Sequence, residues 1–204
     1  MTEPTTTYTA IPNSELAVDA PARSINALQL RDNNTFVREG QGQFVYFTAS
    51  GTYTVPASLS RVRVHVIGGG GGGGLIGSSL GGGGGGGGRA TESLEKVTIG
   101  SSVTVTVGTG GTAGAAGVTS SFGAFCSATG GAAGATGGAS GASGGAGGTG
   151  SGGDLNLTGH TGDSTTGTSS IAVPGGTSAG AMNGAGGLSA FAGEDGLVIV
   201  EEYY

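Results

Sequence analysis

Two uninterrupted glycine runs, residues 68–74 and 81–88, flank the short insert Leu75-Ile76-Gly77-Ser78-Ser79-Leu80. Ordering a glycine costs about 0.5–1 kcal/mol more than ordering an alanine, because glycine has the most backbone freedom to lose. With 50 glycines among 204 residues, the chain either leaves them disordered or compensates them by close backbone packing. Disordered segments carry high net charge and few β-branched residues. Here, from Val97 to Gly193, there is no lysine or arginine and the only acids are Asp154 and Asp163, while valine is plentiful outside the runs. The sequence therefore favours packing.

Around the runs the hydrophobic period is two, the mark of half-buried strands. Phe44-Val45-Tyr46-Phe47 and Thr52-Tyr53-Thr54-Val55, separated by Ala49-Ser50-Gly51, read as a hairpin. Valines 62, 64 and 66 alternate with Arg61, Arg63 and His65, and valines 103, 105 and 107 alternate with Ser102, Thr104 and Thr106. Leu197-Val198-Ile199-Val200 does not alternate, which suits a central strand covered on both faces. The expected fold is all-β: a small β-sandwich-like domain with strands near 43–67, 90–107 and 195–204, and glycine-rich loops over 68–88 and 108–194.

Within 108–194 glycine often falls at every third position: 108, 111, 114 and 117; then 138, 141, 144, 147, 150 and 153; then 159 and 162. A period of three matches polyproline II geometry, with three residues per turn and no internal hydrogen bonds. Collagen would need proline in the intervening positions, and Pro174 is the only proline there. The segments are expected to form stacked polyglycine II helices, or loops resembling them. Small residues such as Ala142, Ser143 and Thr149 would then face outward, with Phe122, Phe125, Ile171, Val173 and Phe191 pinning the stack to the sheet.

Catalytic and cofactor signals are missing. Polyglycine satisfies G-x-G-x-x-G trivially, and here neither a helical pattern nor a phosphate-loop lysine follows. Asp154 and Asp163 lack the frame of a calcium-binding repeat. His65 and His160 have no second histidine or cysteine at metal spacing, and no serine is marked as a nucleophile. A lone Cys126 allows no intrachain disulfide and reads as an inert buried thiol, consistent with assembly in a reducing cytoplasm. A net charge of −6 with dispersed cations argues against nucleic acid, and no apolar stretch is long enough to insert in a membrane. No charged-then-apolar leader opens the sequence, so a soluble chain is expected. No enzyme, cofactor or metal is expected. Candidate contacts are instead the larger loop residues His160, Asp163, Met182 and Asn183.

Residues 1–42 have an ordinary composition, with Ser14 and Pro21 as helix-start signals before Ile25, Leu28 and Leu30. This narrow apolar face suits an attachment segment that orders by docking onto a partner.

Phe47-Thr48-Ala49-Ser50-Gly51-Thr52-Tyr53-Thr54-Val55-Pro56, followed by Val62-Arg63-Val64-His65-Val66-Ile67-Gly68 running into polyglycine, resembles the glycine-rich domain of bacteriophage tail fibre and tail tip proteins. Thr119-Ser120-Ser121-Phe122-Gly123 and Gly196-Leu197-Val198-Ile199-Val200-Glu201 are similar to the same pattern, though the tryptophan common in that family is missing. The resemblance covers about residues 43–204. It implies a virion protein, often a homotrimer, that joins the tail or baseplate through its N-terminus, here Ile25, Leu28 and Leu30. Its distal loops would contact a host outer-surface protein or polysaccharide. A structural connector or capping protein of the tail is the alternative.

Overall fold

The computed structural model describes residues 43–165 and 183–204. The reading of residues 1–42, including Ile25, Leu28 and Leu30, lies outside these, as do Ile171, Val173 and Met182. The chain divides into Met1–Gln43 with Tyr203–Tyr204, and Phe44–Glu202. The second unit is described below.

The elements are β1 (Gln43–Phe47), β2 (Gly51–Thr54), β3 (Arg61–Ile67), β4 (Arg89–Glu95), the single-turn helix α1 (Lys96–Ile99), β5 (Ser102–Thr106), β6 (Ser120–Phe122), β7 (Cys126–Ala128), β8 (Gly150–Ser151), β9 (Leu155–Leu157) and β10 (Leu197–Tyr203). They form two five-stranded sheets, ordered β1-β10-β3-β4-β9 and β2-β5-β6-β7-β8. Val62, Val64 and Val66 of β3, with Val198 and Val200 of β10, are buried in one core with Tyr53, Val103, Val105 and Phe122 of the other sheet. Each such side chain contributes about 1.5–3 kcal/mol on burial. Tyr53 stacks at a tilt on Phe122, with centroids 5.8 Å apart, and its hydroxyl donates to buried Glu202 Oε1 at 2.7 Å. That bond ties β2 to β10 across the sandwich.

Four expectations are corrected. β1 and β2 are not a hairpin, because each completes a different sheet. The crossing is held where Val107 N–H donates to Ser50 Oγ at 3.0 Å, and β2 pairs with β5 from Gly51↔Val105 to Thr54↔Ser102. β10 is an interior strand, yet it alternates: Val198 and Val200 are fully buried while Leu197 and Ile199 are half-buried. The stretch read as one insertion carries the short strands β6 to β9. Phe122 accordingly belongs to the sandwich core, with Phe125 partly buried against it, and Phe191 is exposed rather than pinning the stack.

The glycine runs continue the β3–β4 pair. Beyond Ile67↔Arg89, Gly68, Gly71 and Gly74 donate their N–H groups to the carbonyls of Gly88, Gly85 and Gly82, an antiparallel register stepping by three. The intervening residues bond elsewhere. Gly69 and Gly72 donate to Val118 and Ala115, whereas Gly70 and Gly73 donate to Glu194 and Phe191. The carbonyls repeat the pattern toward three further segments. Gly69 and Gly72 accept from Gly131 and Gly134, Gly70 and Gly73 from Gly111 and Gly114, and Gly71 and Gly74 from Gly187 and Ala190.

A period of two would confine these bonds to one plane, so a period of three defines a polyglycine II helix. Segment 68–74 is ringed by 82–88, 129–135, 115–118, 108–114, 191–196 and 184–190. Neighbours in that ring also bond to each other, through Gly85–Ala132, Gly117–Gly131, Val118–Thr109, Gly193–Gly111, Glu194–Ala185 and Gly84–Gly187. The packing is hexagonal. The central helix donates only to antiparallel neighbours and accepts only from parallel ones.

Position in this array dictates composition. A Cβ on Gly70, Gly71 or Gly72 would lie 1.8, 2.1 or 1.9 Å from a carbonyl oxygen of Ala185, Ala132 or Thr112, each in a different segment. No direction is open, so the central helix is glycine throughout. At the rim, segment 142–149 reads Ala-Ser-Gly-Gly-Ala-Gly-Gly-Thr. Gly145 and Gly148 are buried against 129–135, Gly144 and Gly147 abut 159–162, and Ser143, Ala146 and Thr149 face out. A net backbone hydrogen bond contributes about 0.5–1.5 kcal/mol, comparable to the extra entropy each glycine loses.

Cys126 lies in the sandwich core. Burial, followed by the Glu92 carboxylate, pushes its thiol up to about 12. The folded state therefore keeps the thiol protonated well above the pH at which an unfolded cysteine ionises. Its contribution is intact below about pH 8.5 and fades as pH rises toward 12. A disulfide reagent at pH 8 is expected to label Cys126 only at the rate of unfolding, and labelling as fast as a free thiol would contradict this burial.

Candidate functional site

The register of the bundle assigns its two ends. Gly68 and Gly88 adjoin β3 and β4, so Gly74 and Gly82 lie at the opposite end, farthest from the sandwich. Loops collect there and bond to one another. Gly137 N–H donates to the Leu75 carbonyl, Gly114 N–H to that of Gly73, and Ala190 N–H to that of Gly74. Ser79 Oγ donates to the Gly138 carbonyl at 2.7 Å, and Gly81 N–H donates to Ser189 Oγ at 2.9 Å. These bonds fasten the turn 75–80 to its neighbours.

This apical end displays large apolar side chains. Leu75 is 48% exposed, Ile76 60%, Leu80 36% and Phe191 66%. Isolated exposed hydrophobics are ordinary, whereas several gathered on one surface mark an interaction site. None of these is among the contacts expected from the sequence, although the apolar insert between two glycine runs is the signal that marks three of them.

The candidate residues lie elsewhere. The Asp163 carbonyl accepts from Gly83 N–H toward the apical end, and one turn away the His160 carbonyl accepts from Gly86 N–H. His160 and Asn183 come together in a cleft of about 290 Å³ where bundle meets sandwich, with Ile67, Arg89, Leu157, Thr158 and Ala185 completing its side-chain lining. Asn183 is partly structural, since its Nδ2 donates to the Gly196 carbonyl at 3.2 Å.

His65 orients Arg89. Arg89 Nη2 lies 3.2 Å from His65 Nδ1 and Thr91 Oγ1 lies 3.0 Å from it. A guanidinium only donates, so Nδ1 accepts and the ring proton sits on Nε2. Burial and then the Arg89 charge hold the imidazole below its ordinary value, with Glu201 opposing and Arg63 reinforcing the shift. Behind the cleft-lining Arg89, therefore, stands a neutral histidine bracing the cation.

Among the described residues no three His, Cys, Asp or Glu side chains are grouped to hold a metal ion, and no helix is long and apolar enough to cross a membrane. Residues 48–203 match the family model described as a glycine-rich domain. The chain belongs to this family. No curated protein matches it. In this glycine-rich domain the family match spans the bundle and every strand of the sandwich except β1, so the polyglycine helices are integral to the domain and not an appendage of it.

Proposed function

We propose that the protein is a bacteriophage tail fibre component whose apical loops recognise the bacterial surface, with residues 1–42 joining it to the tail or baseplate. The observation that carries this reading is the apolar apex, Leu75, Ile76, Leu80 and Phe191, held out by a bundle whose central helix has every surrounding direction filled by backbone. Binding residues concentrate on loops presented by rigid scaffolds, and a rigid loop loses little entropy when it binds. The partner is a host outer-surface protein or polysaccharide. The fibre acts as a homotrimer in the virion after assembly in the bacterial cytoplasm, and it is not an enzyme. Several weak contacts per particle raise avidity by about 10²–10⁴ without new contacts.

Purified full-length protein is expected to compete with phage for adsorption to susceptible cells and to bind resistant mutants at least tenfold less. Equal binding to both cell types would contradict host recognition. Particles that assemble and adsorb normally without the protein would support the alternative, a structural connector of the tail.

A further inference from the structure

The cleft between bundle and sandwich is unused by the apical recognition reading. Its side chains come from β3 (Ile67), β4 (Arg89), β9 (Leu157), the segment carrying Thr158 and His160, and the segment carrying Asn183 and Ala185, and its floor is backbone from Gly86, Gly87, Gly159 and Gly184. The volume of about 290 Å³ lies near the lower end for small-molecule sites. Its polar side chains are a guanidinium, an imidazole, a carboxamide and the Thr158 hydroxyl, and among the described residues no carboxylate lines it. In a chain of net charge −6 with seven basic residues, a cleft built around a cation and without acids is a selective place for an anion.

Arg89 is aimed rather than loose. The 3.2 Å approach to His65 Nδ1 engages one of the guanidinium's five donors, and the others remain for a planar, bidentate acceptor. Ile67 and Leu157 supply apolar walls for a ring, while Thr158, His160, Asn183 and the glycine carbonyls offer partners for hydroxyls; the floor amides of Gly86, Gly87, Gly159 and Gly184 already donate to backbone carbonyls. We infer that this cleft binds a single acidic sugar unit, with its carboxylate or phosphate on Arg89 and its ring between Ile67 and Leu157. The site lies at the opposite end of the bundle from the apex, so its test stands apart from the adsorption assay.

Titration of the full-length protein by heteronuclear NMR with glucuronate, glucose 6-phosphate, glucose and inorganic phosphate distinguishes the possibilities. At least one acidic sugar is expected to shift the amides of Gly86, Gly87, Gly159 and Gly184 with a dissociation constant of about 1 mM, and glucose at least tenfold more weakly. Binding of glucuronate alone or glucose 6-phosphate alone narrows the anion and supports the site. Arg89→Gln is expected to weaken binding at least tenfold; Leu157→Ala, at a half-exposed position, gives a second variant with less risk to folding and is expected to weaken it severalfold. Absence of shifts with both acidic sugars, glucose binding equally well, or wild-type affinity in both variants overturns the inference. Inorganic phosphate binding as tightly as glucose 6-phosphate overturns the assignment to a sugar.

Discussion

Replacing Gly71 with alanine is expected to lower the melting temperature by roughly 6–12 °C, the equivalent of about 3 kcal/mol in a chain of this size. The new Cβ would sit 2.1 Å from the Ala132 oxygen and 2.5 Å from its carbon, so backbone rather than a flexible side chain must move. Ala132 cannot retreat without loss, because the same carbonyl accepts the Gly85 N–H at 2.9 Å. A one-methyl change in the middle of the array thus disturbs two helices and the bond that joins the second of them to Gly85 in a third. Ala146→Ser, on the outward face of the rim segment 142–149, is expected to change stability by no more than about 0.5 kcal/mol. Thermal denaturation of the two variants compares centre with rim, and equal, small shifts would contradict hexagonal packing.

The second large effect is on adsorption. Ile76→Asp combined with Phe191→Asp places two charges on the apex, and particles carrying this variant are expected to adsorb at least about 100-fold more slowly, since each weakened contact is multiplied across copies. Both side chains are mostly exposed, so the melting temperature should hold within the range of ordinary surface changes. Wild-type adsorption by such particles would remove the apex from recognition and favour the connector.

Much of this architecture is legible in the sequence, for a physical reason. Alternation in 61–67 and 102–107 exposes which strand face is buried, because successive side chains point to opposite sides. An unbroken glycine run marks a helix enclosed on all sides, and the Gly-Gly-x pattern of 143–148 marks a rim helix with one free face. Partners are less legible. The alternation of Phe44–Phe47 and Thr52–Val55 is the same whether they pair with each other or, as here, with β10 and β5. Likewise the three-residue phase continues from Gly111 through Gly114 to Gly117 although the chain reverses near Gly114, whose φ of 77° is accessible to glycine.

The candidate site was legible only in its parts. His160 and Asn183 were recognisable as larger residues among small ones, but their meeting with Arg89 depends on the register of segments far apart in sequence. Polar loop residues are the usual signature of a contact surface, whereas this apex is mostly Leu, Ile and Phe, which in a sequence look like core.

Amide hydrogen exchange of the glycine runs in the full-length protein tests the central claim most directly. If the array exists, the N–H groups of Gly71, Gly72 and Gly73, which donate to three different segments, exchange together and more than about 1,000-fold slower than in an unstructured glycine peptide, at the rate set by global unfolding. Exchange at the unstructured rate, or protection confined to every third glycine, would contradict it.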